Sequence, residues 1–263
     1  MPGFPASRNN LNYILCFFLL LFFSSCSTSR TVPPNSLPPP VQLTSPPSQF
    51  LPRHDIWHTV APGETLWRIG KMYDVPSKTI ARANKLSDSP LLKKGSKLRV
   101  PNAAPVQPVI SLYPSKRWTH IIVHHSATDQ GDALLFDKAH LNKGWDGIGY
   151  HFVIDNGSLD RKDGQVEVSP RWLKQLPGAH CKADGMNERG IGICLVGNFN
   201  DERPSARQMD ALVDLVCQLK TFYRIPDGHV YGHGQVHGAS TECPGKNFSW
   251  AEFRRRVKKS CPR

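Results

Sequence analysis

The sequence predicts an α/β domain, a sheet covered by helices, preceded by a small strand–helix–helix–strand unit. Two continuous apolar runs, Ile121-Ile122-Val123 and Ile191-Gly192-Ile193-Cys194-Leu195-Val196, have the character of strands buried on both faces. Helical spacings lie between and after them, and alternating strands and helices build a sheet with covered faces. A third observation concerns a loop rather than an element. Gly232-His233-Gly234-Gln235-Val236-His237-Gly238 through Thr241-Glu242-Cys243-Pro244-Gly245 sets two histidines and a cysteine among turn-forming residues, a combination that points to metal binding or chemistry.

At 263 residues the chain has room for more than one domain, and 39% hydrophobic with 21% charged residues is ordinary for a globular protein. The net charge of +12 favours an anionic partner: nucleic acid, a membrane surface or an anionic cell-wall polymer. Seven cysteines without a CxxC pair indicate neither a zinc ribbon nor a dense disulfide framework.

Residues 1–25 read as a signal peptide, with Arg8 before an apolar stretch from Leu11 to Phe23. That stretch is shorter than the roughly 20 apolar residues a membrane-spanning helix needs. Phe23-Ser24-Ser25-Cys26 resembles a bacterial lipoprotein cleavage box, although Phe23 stands where leucine is usual. The resemblance implies a lipid anchor at Cys26 and, with Ser27 following, sorting to the outer membrane; plain secretion with a free Cys26 is the alternative. Residues 26–56 are rich in Pro, Ser and Thr, cannot bury a core, and suit an extended polyproline spacer.

Residues 57–101 form the small unit. His58-Thr59-Val60 opens it as a strand, and Leu66, Ile69, Gly70 and Tyr73 fall on one helix face. Ser77 is placed to cap a second helix carrying Ile80 and Ala83, and Leu98 and Val100 alternate as in a half-buried strand. His58-Thr59-Val60-Ala61-Pro62-Gly63-Glu64-Thr65-Leu66-Trp67, Asn84-Lys85-Leu86 and Leu92-Lys93-Lys94-Gly95 through Pro101 resemble a LysM module. The resemblance implies binding of N-acetylglucosamine-containing glycans. A single copy suits concentrating a partner domain on its polymer.

A connector over 102–117 leads to the second domain, 118–263. Thr119 to His125 is a strand in which neighbouring side chains face opposite ways, so of His124 and His125 one at most can be a ligand. Asp132 to Leu141 can form a short helix, the stretch Gly144 to Ile154 follows, and Asn156-Gly157 signals a tight hairpin. Ser205 and Gln208 form a capping box for a helix with Met209, Leu212, Val213, Val216 and Leu219 on one face. His229-Val230-Tyr231 is a short strand entering the histidine–cysteine loop, and Ser249 with Glu252 suggests a second capping box on a basic final helix.

Val123-His124-His125-Ser126, Gly149-Tyr150-His151-Phe152, Gly178-Ala179-His180, Ile191 through Gly197 and Gly232-His233 through Cys243-Pro244-Gly245 resemble, in order, the zinc-dependent N-acetylmuramoyl-L-alanine amidases related to peptidoglycan recognition proteins. The resemblance implies a mixed central sheet flanked by helices and a zinc ion held by His124, His233 and Cys243, with His237 the secondary candidate. It implies hydrolysis of the amide between N-acetylmuramic acid and L-alanine of peptidoglycan. Tyr150 would position the attacking water, since a phenol with an ordinary pKa of about 10 is a poor base at neutral pH. Thr241 would hydrogen-bond the tetrahedral oxyanion, Glu242 is an alternative base, and His180 would contact substrate. Cys194 reads as inert core, and Cys181, Cys217 and Cys261 permit a disulfide that spacing does not identify. The competing expectation is a catalytically inactive peptidoglycan-binding protein. Arg254-Arg255-Arg256 and Lys258-Lys259 read as a solvated helix face, so the expected partners are peptidoglycan and, through Cys26, a membrane, with no nucleic acid, in a monomeric chain of the cell envelope.

Overall fold

The structure, a computed structural model, describes Val41–Gln42 and residues 52–261. The expected signal peptide and Cys26 lie outside the described residues, as does most of the proline-rich spacer. No helix among the described residues is long and apolar enough to cross a membrane. The short strand β1 (Val41–Gln42) lies within that spacer and pairs antiparallel with β4 (Ser111–Leu112).

In the small unit, β2 (His54–Thr59) pairs antiparallel with β3 (Lys97–Ala103), and α1 (Leu66–Tyr73) and α2 (Ser77–Ala83) pack between them in sequence. Thr65 caps α1 by accepting the Arg68 amide, and the expected face of Leu66, Ile69, Gly70 and Tyr73 is buried. Ser77 begins α2 but makes no capping bond with its side chain. A His58 ring bonded to Glu64 at 2.7 Å and to Tyr73 at 3.0 Å ties the β2–α1 turn to the end of α1.

The connector expected over 102–117 packs on both sides. Ala104 and Gln107 donate to the carbonyls of Tyr73 and Met72, Arg68 donates to the Val109 carbonyl, and Ile110, Leu112 and Tyr113 are buried in the core of the second domain. The two domains fall within one compact unit.

The second domain is built on five strands in the order β7-β6-β8-β5-β9. Its members are β5 (His120–His125), β6 (Phe152–Ile154), β7 (Val166–Val168), β8 (Gly190–Leu195) and β9 (Val230–Gly232). All neighbours pair parallel except β6 with β7, so the sheet is mixed. Asn156-Gly157 does not make a tight hairpin: the register Ile154↔Val166 leaves a long loop, in which Asn156 bonds Asp129 and Ser158.

Strand parity sorts the core into two layers. Ile121, Val123, Phe152, Ile191 and Ile193 face α6 (Ala206–Tyr223), while Ile122, Val153 and Cys194 belong to clusters on the other face. The latter is covered in part by α3 (Ala133–Asn142) through Ala133 and Phe136. The Ser205–Gln208 capping box forms as read from the sequence. On α7 (Trp250–Ser260), by contrast, Ser249 makes no capping bond and Glu252 pairs with Arg256. A disulfide between Cys217 and Cys261, 44 residues apart, staples α6 to the end of α7; closing a loop of that length disfavours the unfolded chain by about 4 kcal/mol. Between β7 and β8 lie the one-turn helices α4 (Pro170–Leu173) and α5 (Met186–Arg189).

Candidate metal centre

The site arises from register. Val123 of β5 pairs with Gly232 of β9 in parallel, so the next residues, His124 and His233, emerge side by side at the carboxyl end of the sheet. In open α/β sheets this edge is where ligands are held. Gly232 is required there: a Cβ would lie 2.6 Å from Pro244 and 2.8 Å from Trp250, and its absence lets the cysteine loop fold back onto β9. The Gly234 amide then donates to the Cys243 carbonyl at 2.7 Å, fixing Cys243 beside His233.

Ligand atoms of His124, His233 and Cys243 all lie within 4.8 Å of one another. The rings of His124 and His233 are 4.7 Å apart, and Cys243 Sγ is 3.6 Å from His124 Nδ1. His125 points to the other face, where its Nδ1 accepts the Phe199 amide at 3.1 Å, while its own backbone N–H donates to Cys243 Sγ at 3.4 Å. His237 is exposed and stands outside the cluster.

A histidine relay fixes which nitrogen of His124 is free. His180 Nε2 faces the Gly190 carbonyl at 3.2 Å, and only an N–H can donate there. In the neutral ring Nδ1 is therefore the acceptor, and it takes the Nε2 proton of His124 at 3.1 Å. His124 Nδ1 is left as a bare lone pair on the side of Cys243. The sequence reading gave His180 a substrate contact; in this structure its ring is turned to His124 and the Gly190 carbonyl. His180 is buried, with both ring nitrogens engaged, and its ring lies against Gly192, where no Cβ could fit.

Burial and the neighbouring histidines hold His124 and His180 well below the usual imidazole range, and burial lowers His233. These rings are neutral at physiological pH, the form that binds metals. Burial pushes the Cys243 thiol up to about 12, opposed by the His125 amide. Two neutral imidazoles and a sulfur form a donor set suited to zinc, whose charge would favour the thiolate. The residues present therefore fit the implied ion.

Tyr150 flanks the cluster, its ring 5.3 Å from His124 and 5.6 Å from His140. Burial first, then the Cys194 and Cys243 sulfurs, raise its pKa well above the ordinary phenol value. Thr241 is exposed, and its Oγ1 accepts the Cys243 amide at 3.2 Å, which leaves its hydroxyl proton free to donate elsewhere. Glu242 is exposed next to it. Cys194 is wholly buried beneath Tyr150.

A second buried cluster was not legible in the sequence. Arg161 pairs with Asp132 and Glu167 at 3.2 Å each, and its Nη1 donates to the Thr59 carbonyl of the small domain at 3.1 Å. Asp155 is fully buried beside Glu167. Burial followed by the neighbouring Glu167 charge pushes Asp155 well above the carboxylate range, and burial raises Glu167 to about 7.

The chain is similar to several known proteins. The family model described as N-acetylmuramoyl-L-alanine amidase matches residues 114–246, and that of the LysM domain matches 58–101. Peptidoglycan-recognition protein SC2 of Drosophila melanogaster is 38% identical over 146 residues, covering 52% of this chain and 72% of that protein. An N-acetylmuramoyl-L-alanine amidase of Sus scrofa is 33% identical over 129 residues, covering 46% of this chain but 20% of that protein. Among solved structures, the N-acetylmuramoyl-L-alanine amidase LysC from Clostridium intestinale URNW shares 33% identity over 55% of this chain and 89% of its own, with a TM-score of 0.46. With the amidase profile spanning the whole sheet through the cysteine loop, the chain belongs to the N-acetylmuramoyl-L-alanine amidase family and carries a LysM domain ahead of its amidase domain.

Proposed function

We propose that this protein hydrolyses the amide between N-acetylmuramic acid and L-alanine in peptidoglycan, using zinc held by His124, His233 and Cys243. The convergence of those three donors at the carboxyl end of β5 and β9 carries the reading. When bound, zinc supplies water activation and polarisation of the scissile carbonyl.

The chain's own residues supply the rest. His180 holds His124 in the tautomer that offers Nδ1, and the His125 amide stabilises negative charge on Cys243. The Tyr150 phenol, beside His124, orients the attacking water by hydrogen bonding. Thr241 donates its hydroxyl proton to the oxyanion that forms on the substrate carbonyl. Trp57 and Trp67, exposed on the LysM domain, offer apolar faces for sugar rings and support a role in holding the enzyme on glycan.

Export to the cell envelope, with lipid attachment at Cys26, completes the proposal. The Cys217–Cys261 disulfide supports an oxidising compartment. The test is to incubate the purified full chain, with its zinc content measured, with purified peptidoglycan and to assay new L-alanine amino termini. Stoichiometric zinc with release of intact stem peptides is expected. Zinc-loaded protein that binds peptidoglycan and leaves it uncut would establish a recognition protein without catalysis.

A further inference from the structure

The LysM domain sits against the amidase domain at the residues that hold the Tyr150 loop. Lys94 of the LysM domain reaches across to Asp137 of α3, Nζ to Oδ2 2.6 Å. The other Asp137 oxygen accepts the Ile148 amide at 2.9 Å, and Gly147 lies so close that a Cβ would stand 2.6 Å from it. The carbonyl of Ile148 accepts from Arg171 Nε at 2.6 Å, and Arg171 belongs to α4, against whose Pro170 and Leu173 the LysM residue Gly63 rests. The Ile148 peptide is thus gripped on both sides by residues beneath the LysM domain, two positions before Tyr150. The next amide, Gly149, donates to His140 Nδ1 at 2.9 Å, and the His140 ring lies beside Tyr150.

Asp137 has its side chain only 7% exposed, so its carboxylate depends on its partners for charge compensation. Lys94 supplies the positive one. Without it the carboxylate is drawn toward water, away from the Ile148 amide.

We infer that the LysM domain is a positioning element of the amidase site: Lys94, acting through Asp137, fixes the 147–150 loop and with it Tyr150. The inference rests on the amidase reading, and it means that the LysM domain contributes to turnover even on substrates too small for it to bind.

The test uses the full chain with Lys94→Met and Lys94→Arg. Amide hydrogen exchange of the segment containing Ile148 is measured alongside kcat and KM on a soluble muramoyl peptide lacking N-acetylglucosamine. Lys94→Met is expected to speed exchange at Ile148 about tenfold and to lower kcat roughly fivefold with KM little changed, and Lys94→Arg to restore both. Unchanged exchange in Lys94→Met overturns the inference, as does faster exchange with an unaltered kcat. A wild-type chain that cleaves neither this peptide nor purified peptidoglycan would refute the amidase reading and with it the turnover claim, one that cleaves only peptidoglycan would overturn the turnover claim on small substrates, and exchange at Ile148 decides the structural coupling in either case.

Discussion

Two groups of buried titratable side chains lie in the same domain and solve opposite problems. The acid cluster of Asp132, Asp155 and Glu167 carries its own cation, Arg161, whose side chain is 4% exposed. The histidine–cysteine cluster presents uncharged donors, and no lysine or arginine hydrogen-bonds Cys243 Sγ among the described residues. A side-chain cation makes the first a permanent part of the fold, linked to the LysM domain through Thr59. The second is arranged to receive a cation from outside.

The largest expected effect tests the structural side of this contrast. Arg161→Leu leaves Asp132 and Glu167 buried without their counter-charge and should destabilise the domain by about 3–5 kcal/mol, read from urea unfolding. A loss below about 1 kcal/mol would show that the acids are solvated or neutral without it.

On the metal side, His180→Phe keeps a ring of similar size but removes the acceptor for His124. Zinc affinity, measured by chelator competition, should fall about 10–100-fold with little change in fold content. Unaltered affinity would remove His180 from the account.

The smallest effect concerns Asp155. Its folded pKa is raised, so the stability associated with its proton is fully present below the ordinary carboxylate pKa and is lost as pH rises through the raised value. Asp155→Asn removes that loss, and the variant should gain on the wild type as pH rises from 4 to 8, read from urea unfolding at each pH. Parallel stability curves for the two proteins would contradict the raised pKa of Asp155.

The contrast also explains what the sequence made legible. His124, His233 and Cys243 could be named because each sits in a motif that resembles the amidase family; period-two alternation said only that one at most of His124 and His125 could be a ligand, and the resemblance chose His124. The helix face from Met209 to Leu219 and its Ser205 cap were legible from local spacing. Arg161, Asp132, Asp155 and Glu167 come from separate segments whose charges look like ordinary surface residues until the chain folds. Lys94 and Asp137 are 43 residues apart and belong to different domains, so no spacing links them. The bonds of His180 to His124 and Gly190 were not legible, because a motif shows that a histidine is present but not which way its ring nitrogens point. The connector failed for a different reason: its prolines suggested a spacer, yet Ile110, Leu112 and Tyr113 are apolar enough to be drawn into the core.

X-ray absorption at the zinc edge of the loaded protein tests the central claim most directly. The account predicts one sulfur at about 2.3 Å with nitrogen or oxygen ligands at about 2.0–2.1 Å, and loss of the sulfur shell together with hydrolysis in Cys243→Ala. A zinc environment of nitrogen and oxygen alone in the wild type, or unchanged zinc and activity in Cys243→Ala, would contradict it.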